Sequence, residues 1–255
     1  MRMFLSIMLI INSLLLSGQQ LLLPETGSKD TRFSNDEKKE LSRLYALYSG
    51  GSNISYELIR GREFFPYYIH SVTTPVLFYG EKYSCAVMAD GNMYKDIFLE
   101  YDTYRDRVIY IDTCGQFKTS SVLLLCNTGS IDGFELYKGN DTLKFSFLDS
   151  NDFDGFNLTR GYYEVVYNGS SKYLIRHISY SYDVRAVTEY NYSPEKYIST
   201  GAGFVKFKTT RQFLRVFGDK SGYIREYLRD NGINIRKAGK GEIVSVLKYY
   251  DGLGK

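Results

Sequence analysis

Residues 97 to 111 read Ile97-Phe-Leu-Glu-Tyr-Asp-Thr-Tyr-Arg-Asp-Arg-Val-Ile-Tyr-Ile111. Apolar or aromatic residues alternate with polar ones on either side of a charged turn, Asp102 to Asp106. Successive side chains of a strand point to opposite faces, so this alternation predicts a β-hairpin. The charged residues of its tip, Asp102, Arg105 and Asp106, read as turn and surface chemistry. The same grammar continues outward on both sides, from residue 52 to residue 207. Aromatic and β-branched segments recur at 64–69, 76–79, 85–88, 108–111, 122–126, 143–147, 162–167, 173–178, 184–190 and 204–207. Tyr79-Gly80-Glu81, Asp90-Gly91-Asn92 and Asn168-Gly169-Ser170 read as hairpin turns, because Gly, Asn and Asp accept positive φ cheaply. Roughly ten short strands at this spacing predict an α+β, mainly β fold. The sheet is expected as an antiparallel meander, a sandwich or a rolled sheet, with an N-terminal helix and a tail of short helices.

The tail begins at residue 208. Thr209-Thr210 caps a segment with Phe213, Leu214 and Phe217 on one face. Ile224, Tyr227 and Leu228 form a second helical stripe, closed by Asn231-Gly232. Ile243, Val246, Leu247 and Tyr250 form a third, ending at Asp251-Gly252. Short amphipathic helices cannot bury their faces alone, so residues 208–255 are expected to pack on the sheet.

At the other end, Arg2 precedes an apolar run from Met3 to Leu16, and Ser17-Gly18 supplies small residues at its exit. This describes a secretory signal peptide over residues 1–18. Leu21 to Leu23 prolongs the apolar character, but a membrane span needs about 20 continuous apolar residues. Ser17 to Gln20 interrupts the run, so a cleaved signal is expected rather than an anchor. Residues 19–33 lack periodicity and read as a disordered lead-in. Ser34 and Glu37 form a capping box, and Leu41, Leu44, Tyr45 and Tyr48 predict an amphipathic helix over 34–51.

Charge is uneven. From Lys206 to the end the chain holds 12 Lys and Arg against 5 Asp and Glu, whereas the residues before it hold 20 against 24. A basic tail can meet an anionic surface or dock on an acidic body. Nucleic acid is not expected as a partner of an exported chain. Of the cysteines, Cys85, Cys114 and Cys126, at least one is unpaired, because their number is odd. Three buried thiols are favoured over one bridge, for which Cys114 and Cys126 are the closest pair in sequence.

Motifs that carry chemistry are sparse. The histidines, His70 and His177, stand alone in apolar segments and read as satisfied or surface residues. Spacing does not favour a Cys–His nucleophile. The chain has no Gly-x-Ser-x-Gly elbow, His-Glu-x-x-His pair, phosphate-cradling Gly loop or Cys-x-x-Cys pair. Asp149-Ser-Asn-Asp-Phe-Asp-Gly155 misses the calcium-loop ligands, with Phe153 at the fifth position and Arg160 at the twelfth. It reads as a polar turn. No catalytic, cofactor-binding or metal-ligating residue is assigned, and no cofactor is expected. The 25 Tyr and 16 Phe suit half-buried strands more readily than a ring platform for ligands.

The hairpin Leu99-Glu-Tyr-Asp-Thr-Tyr-Arg-Asp-Arg-Val108, the block Gly161-Tyr-Tyr-Glu-Val-Val-Tyr-Asn-Gly169 with Leu174-Ile-Arg176, and the helical end Val246-Leu-Lys-Tyr-Tyr-Asp251 occur in that order. As an ordered set over residues 75 to 253 they resemble a group of uncharacterised exported β-rich proteins of Gram-negative bacteria. The resemblance implies a compartment and a style of fold, and transfers no catalytic residue. The expected function is a non-enzymatic structural, envelope-associated or binding module. It would be periplasmic, outer-membrane-associated or secreted, with an envelope component, a peptide or a glycan as partner. The alternative is an extracytoplasmic hydrolase using a carboxylate pair. An outer-membrane barrel is disfavoured, because its strands need about 9–11 residues and the chain ends in basic amphipathic helices.

Overall fold

Most strands form where the alternation places them, and the 97–111 hairpin is the joint of the sheet. The chain orders as β1 (Ile59–Glu63), β2 (Val76–Leu77), β3 (Ser84–Ala89), β4 (Asn92–Asp102), β5 (Arg107–Asp112), β6 (Val122–Cys126) and β7 (Ile131–Lys138). Then follow β8 (Asp141–Leu148), β9 (Gly161–Asn168), β10 (Lys172–Arg176), β11 (Ser179–Val184), β12 (Val187–Tyr192), β13 (Glu195–Ser199) and β14 (Phe204–Phe207). The computed structural model describes residues 59–65, 67, 73–77, 83–89, 91–112, 122–126, 130–149, 158–185, 187–201 and 203–253. The sequence-predicted signal (1–18), lead-in (19–33) and helix (34–51) lie outside the described residues, as do the turn at 79–81, His70, Cys114 and residues 150–155.

One antiparallel sheet runs β1-β6-β5-β4-β3-β7-β8-β9-β10-β13-β14, with β2 added to β4, and β11 and β12 form a separate ribbon. Strand β4 serves both halves. Its first part pairs with β3 and its last residues, Leu99 to Asp102, pair with β5. Asp96, at φ +57°, lies beside the register shift in the β3 pairing, a bulge that bends and twists a strand.

The bend matters because of what it brings together. Strands β4 and β9 stand four places apart in the sheet, which in a flat sheet is about 19 Å. Yet the Tyr101 and Tyr162 rings lie 5.9 Å apart, and the Tyr162 amide donates to Asp106 across 3.3 Å. The sheet is therefore rolled onto itself. The roll is filled by rings: Tyr101 packs 5.6 Å from Phe134 and 5.5 Å from Phe145, and those two stack at 4.4 Å. Burying an aromatic side chain of this kind stabilises by about 1.5–3 kcal/mol, so these contacts hold the roll closed.

The far end of the sheet is covered by helices α1 (Thr210–Arg215), α2 (Ser221–Asp230) and α3 (Lys240–Gly252). Thr209 caps α1 in a capping box with Gln212, and Glu242 reaches back to the Gly239 amide at 2.8 Å to open α3. Tyr173, Ile175, Ile198 and Phe207 point from the sheet into the same core as Phe213, Ile224, Ile243 and Val246. The opposite face of the same strands carries Tyr163, Leu174, Tyr197 and Phe204. Alternation within β10 thus separates Tyr173 and Ile175 from Leu174.

The pattern of strands differs from the sequence reading at β1, β7, β13 and the β11–β12 ribbon. β1 precedes the expected 64–69 segment, and Phe64 and Phe65 follow it. β7 carries Asp132 and Gly133 in its first half, which weakened its period-2 signal. It is closed onto β8 by Gly139-Asn140, with Gly139 at φ +60°, the II′ pattern of tight hairpins. The expected 184–190 strand straddles the turn of the β11–β12 ribbon, where Arg185 takes φ +48°.

Candidate functional site

The carboxylates of the hairpin tip, Asp102 and Asp106, turn inward, which corrects their reading as surface chemistry, whereas Arg105 stays on the surface as that reading had it. Asp102 is fully buried, its Oδ1 accepting from the Tyr104 and Arg105 amides at 2.9 and 3.1 Å, and its Oδ2 accepting from the Tyr67 hydroxyl. Thr103 donates to the Pro75 carbonyl at 2.6 Å and lies 2.7 Å from the Ser179 hydroxyl. Asp106, at φ +54°, accepts from the Tyr101 hydroxyl at 2.5 Å and lies 3.7 Å from Arg176 Nη2. Burial pushes its carboxyl above the ordinary aspartate value, against the hydrogen bonds and the Arg176 charge, which pull it down. Gly161 lets this carboxylate approach: it holds φ +150°, and a Cβ there would stand 2.1 Å from Asp106 Oδ2.

A second polar cluster sits under the helices. Glu164, on β9, is 3% exposed and lies 2.8 Å from His177 Nε2 and 2.5 Å from Lys240 Nζ at the start of α3. His177 Nδ1 is 2.6 Å from the Tyr192 hydroxyl of β12. A hydroxyl donates or accepts, so both ring nitrogens are satisfied in either protonation state. Burial would raise the Glu164 carboxyl, but hydrogen bonds from His177 and Lys240, with their charges, outweigh it and hold it below the usual glutamate range. Burial first, and the Glu164 charge second, push the Tyr192 phenol up to about 12.

The third arrangement is open to solvent. On the sheet face away from the helices, Arg176 stands opposite Glu195 across β10 and β13, and Tyr197 opposite Lys206 across β13 and β14. The Tyr197 hydroxyl donates to Glu195 Oε2 at 2.5 Å, and Lys206 is paired with Glu195 Oε1. Burial raises the Glu195 carboxyl, but the Lys206 and Tyr197 hydrogen bonds more than offset it, so it is held below the ordinary value. The Arg176 guanidinium lies 5.6 Å from the Tyr163 ring centre, a cation–π contact. Around these groups Tyr180, Phe204 and Arg215 complete a hollow of about 690 Å³.

Of the residues weighed from sequence, His177 is in place as a satisfied, buried histidine. Cys85 and Cys126 are free and buried, and burial pushes both thiols up to about 12. Neither contacts His177, whose ring nitrogens face Glu164 and Tyr192. Asp149 meets Arg160 at 3.7 Å. Among the described residues no three His, Cys, Asp or Glu side chains gather closely enough to hold a metal ion. Sequence reasoning missed Glu164, Tyr192, Glu195 and Lys240. One signal was present: Glu164 is a lone charge within the aromatic strand Tyr162 to Tyr167, where every neighbour is apolar. A charge in such a strand requires a partner from elsewhere in the fold. Set against known proteins, the chain matches no family model, no curated protein and no solved structure.

Proposed function

We propose that the chain is an exported, non-enzymatic binding module whose ligand face is the hollow on β10, β13 and β14, and whose ligand is an oligosaccharide bearing carboxylates. The make-up of that hollow carries the reading. Planar polar groups of Arg176 and Glu195 are held in place by their neighbours among the rings of Tyr180, Tyr197 and Phe204. Rings pack on the apolar face of a sugar, while fixed guanidinium and carboxylate groups bond its hydroxyls. Lys206 is paired with Glu195 and Arg176 lies against Asp106, which leaves Arg215 as the further cation of the hollow, so the balance of charge favours an acidic sugar.

The non-enzymatic part is supported by the way the buried ionisable groups are engaged. Asp102, Asp106, Glu164 and His177 are each tied to partners within the fold. A relay that activates a nucleophile lowers its pKa, whereas Tyr192, at the end of the Glu164–His177 chain, is pushed up. The apolar run behind Arg2 supports export.

The test is calorimetric titration of the protein with a uronate-bearing oligosaccharide and with its neutral counterpart. Saturable binding of the acidic oligomer, weakened by Lys206→Gln and by Tyr180→Ala, is expected. Absence of binding up to millimolar ligand, or equal binding by both variants, overturns the assignment. A mass of the mature protein that still includes residues 1–18 overturns the export part.

A further inference from the structure

Helices α1 and α2 bring like charges together without compensation. Arg211 and Arg215 stand at i and i+4 on α1, which makes them neighbours on one helix face. They line a hollow of about 560 Å³ together with Leu214, Ser221 and Arg225, the last two from α2. A second hollow of about 510 Å³ shares Thr210 and Arg211 and adds Asn234 and Arg236. No carboxylate lines either hollow. Of the acids on and between these helices, Glu226 and Asp230 both pair with Arg229, and Asp219, between α1 and α2, lines neither hollow. Like charges at this spacing destabilise a helix, and Arg211 lies in the first turn of α1, where the helix dipole disfavours a cation. Arg215, in the last turn, is favourably placed for the dipole, so the cost lies in Arg211 and in the repulsion between the pair, which a bound anion would offset.

We propose that this hollow is a binding site for a phosphorylated ligand. Three guanidinium groups on two helices present forked donors to one space. A carboxylate has only two oxygens to receive them, whereas a phosphate offers three terminal oxygens and close to two negative charges. Ser221 and Thr210 add hydroxyl donors at the rim. Leu214, almost buried, forms an apolar floor. The site is independent of the sugar-binding reading: only Arg215 lines both hollows, so Arg211 and Arg225 test it separately.

The experiment measures thermal unfolding of the whole protein against pyrophosphate, with sodium chloride at matched ionic strength as reference. A saturable rise in the midpoint is expected with pyrophosphate, because a ligand that binds the folded state stabilises it by mass action. Arg211→Gln and Arg225→Gln should each weaken binding about tenfold, and the pair should abolish the rise. The sharper signature is in the unliganded protein. At low salt, Arg225→Gln should unfold at a higher temperature than the parent, because a repulsion has been removed. A pyrophosphate effect no larger than that of chloride overturns the proposal, and so does one that persists in the double variant. Sedimentation with phosphatidylglycerol vesicles, against phosphatidylcholine vesicles, identifies the source. Anionic-vesicle binding that pyrophosphate displaces assigns the site to lipid headgroups, and a pyrophosphate effect without vesicle binding assigns it to a soluble phosphate ester.

Discussion

Replacing Glu164 by Gln tests whether the buried polar cluster holds α3 to the sheet. The substitution keeps the volume, removes the charge and turns one acceptor oxygen into an amide donor. Facing the Lys240 ammonium that amide meets another donor, and facing the His177 ring it is accepted only if Nε2 gives up its proton; in either case the charged acceptor beside His177 is gone. Lys240 is 43% exposed, so its head group turns to water and little is lost there. His177 is 6% exposed and cannot. A hydrogen bond to a charged group contributes about 1.5–3 kcal/mol, so the expected loss is about 2 kcal/mol at pH 7. For a chain of this size that lowers the melting temperature by about 4–8 °C. The pH dependence has a definite sign. The folded-state pKa of Glu164 is lowered, so its stabilisation is present above the unfolded value, about 4.3. It is lost as pH falls through the lower folded value. The gap between parent and Glu164→Gln should therefore be wide at pH 7 and narrow by pH 3. Urea unfolding followed by tyrosine fluorescence reads it directly, since the chain has no Trp. A variant as stable as the parent at pH 7, or a gap unchanged between pH 7 and pH 3, would refute the reasoning.

Three further outcomes are expected. Gly161→Ala should cost about 2–4 kcal/mol, because the new methyl meets the Asp106 carboxylate and φ +150° strains any L side chain; a loss under 1 kcal/mol in urea titration, a bound of about half that range, would count against the close approach. Asp106→Asn should be as stable as the parent or more so at pH 7, since the raised carboxyl pKa means that its ionised form is disfavoured by folding. The parent should gain on this variant as pH falls through that raised value, and a parent clearly more stable at pH 7 would contradict it. Native protein at pH 8 should react with a thiol reagent at no more than one cysteine. Cys85 and Cys126, pushed up to about 12, hold only about 1 part in 10⁴ thiolate there; two or more fast thiols would disprove the burial.

How much was legible in the sequence follows the range of the interactions. The Asp102 to Asp106 turn, the Asn168 turn and the Thr209 cap of α1 are read between residues a few places apart, and these elements form as expected. Strand β13 was illegible because Glu195-Lys196 opens it with charge, and its apolar pair Tyr197-Ile198 becomes a strand signal only when Leu174 and Val205 lie beside it. The polar cluster was illegible for the same reason: Glu164 and Lys240 are 76 residues apart, and no local pattern links them.

Alternation of side chains along a strand and their 3.6-residue period along a helix are local properties, so the sequence by itself determined a β-rich chain ending in helices. It also determined the hairpin at 97 to 111 as the centre of its strand pattern. Only the tertiary structure decided that the sheet rolls, because that depends on the Asp96 bulge and on Tyr101 meeting Phe134, Phe145 and Tyr162. The roll turned Asp102 and Asp106 of the hairpin tip from solvated turn residues into hydrogen-bonded struts and left Arg105 at the surface. It left Arg176, Lys206 and the arginines of α1 and α2 as the cations facing solvent-filled hollows. Which side of a charge meets water is set by strands and helices far apart in sequence, and there the tertiary fold rules.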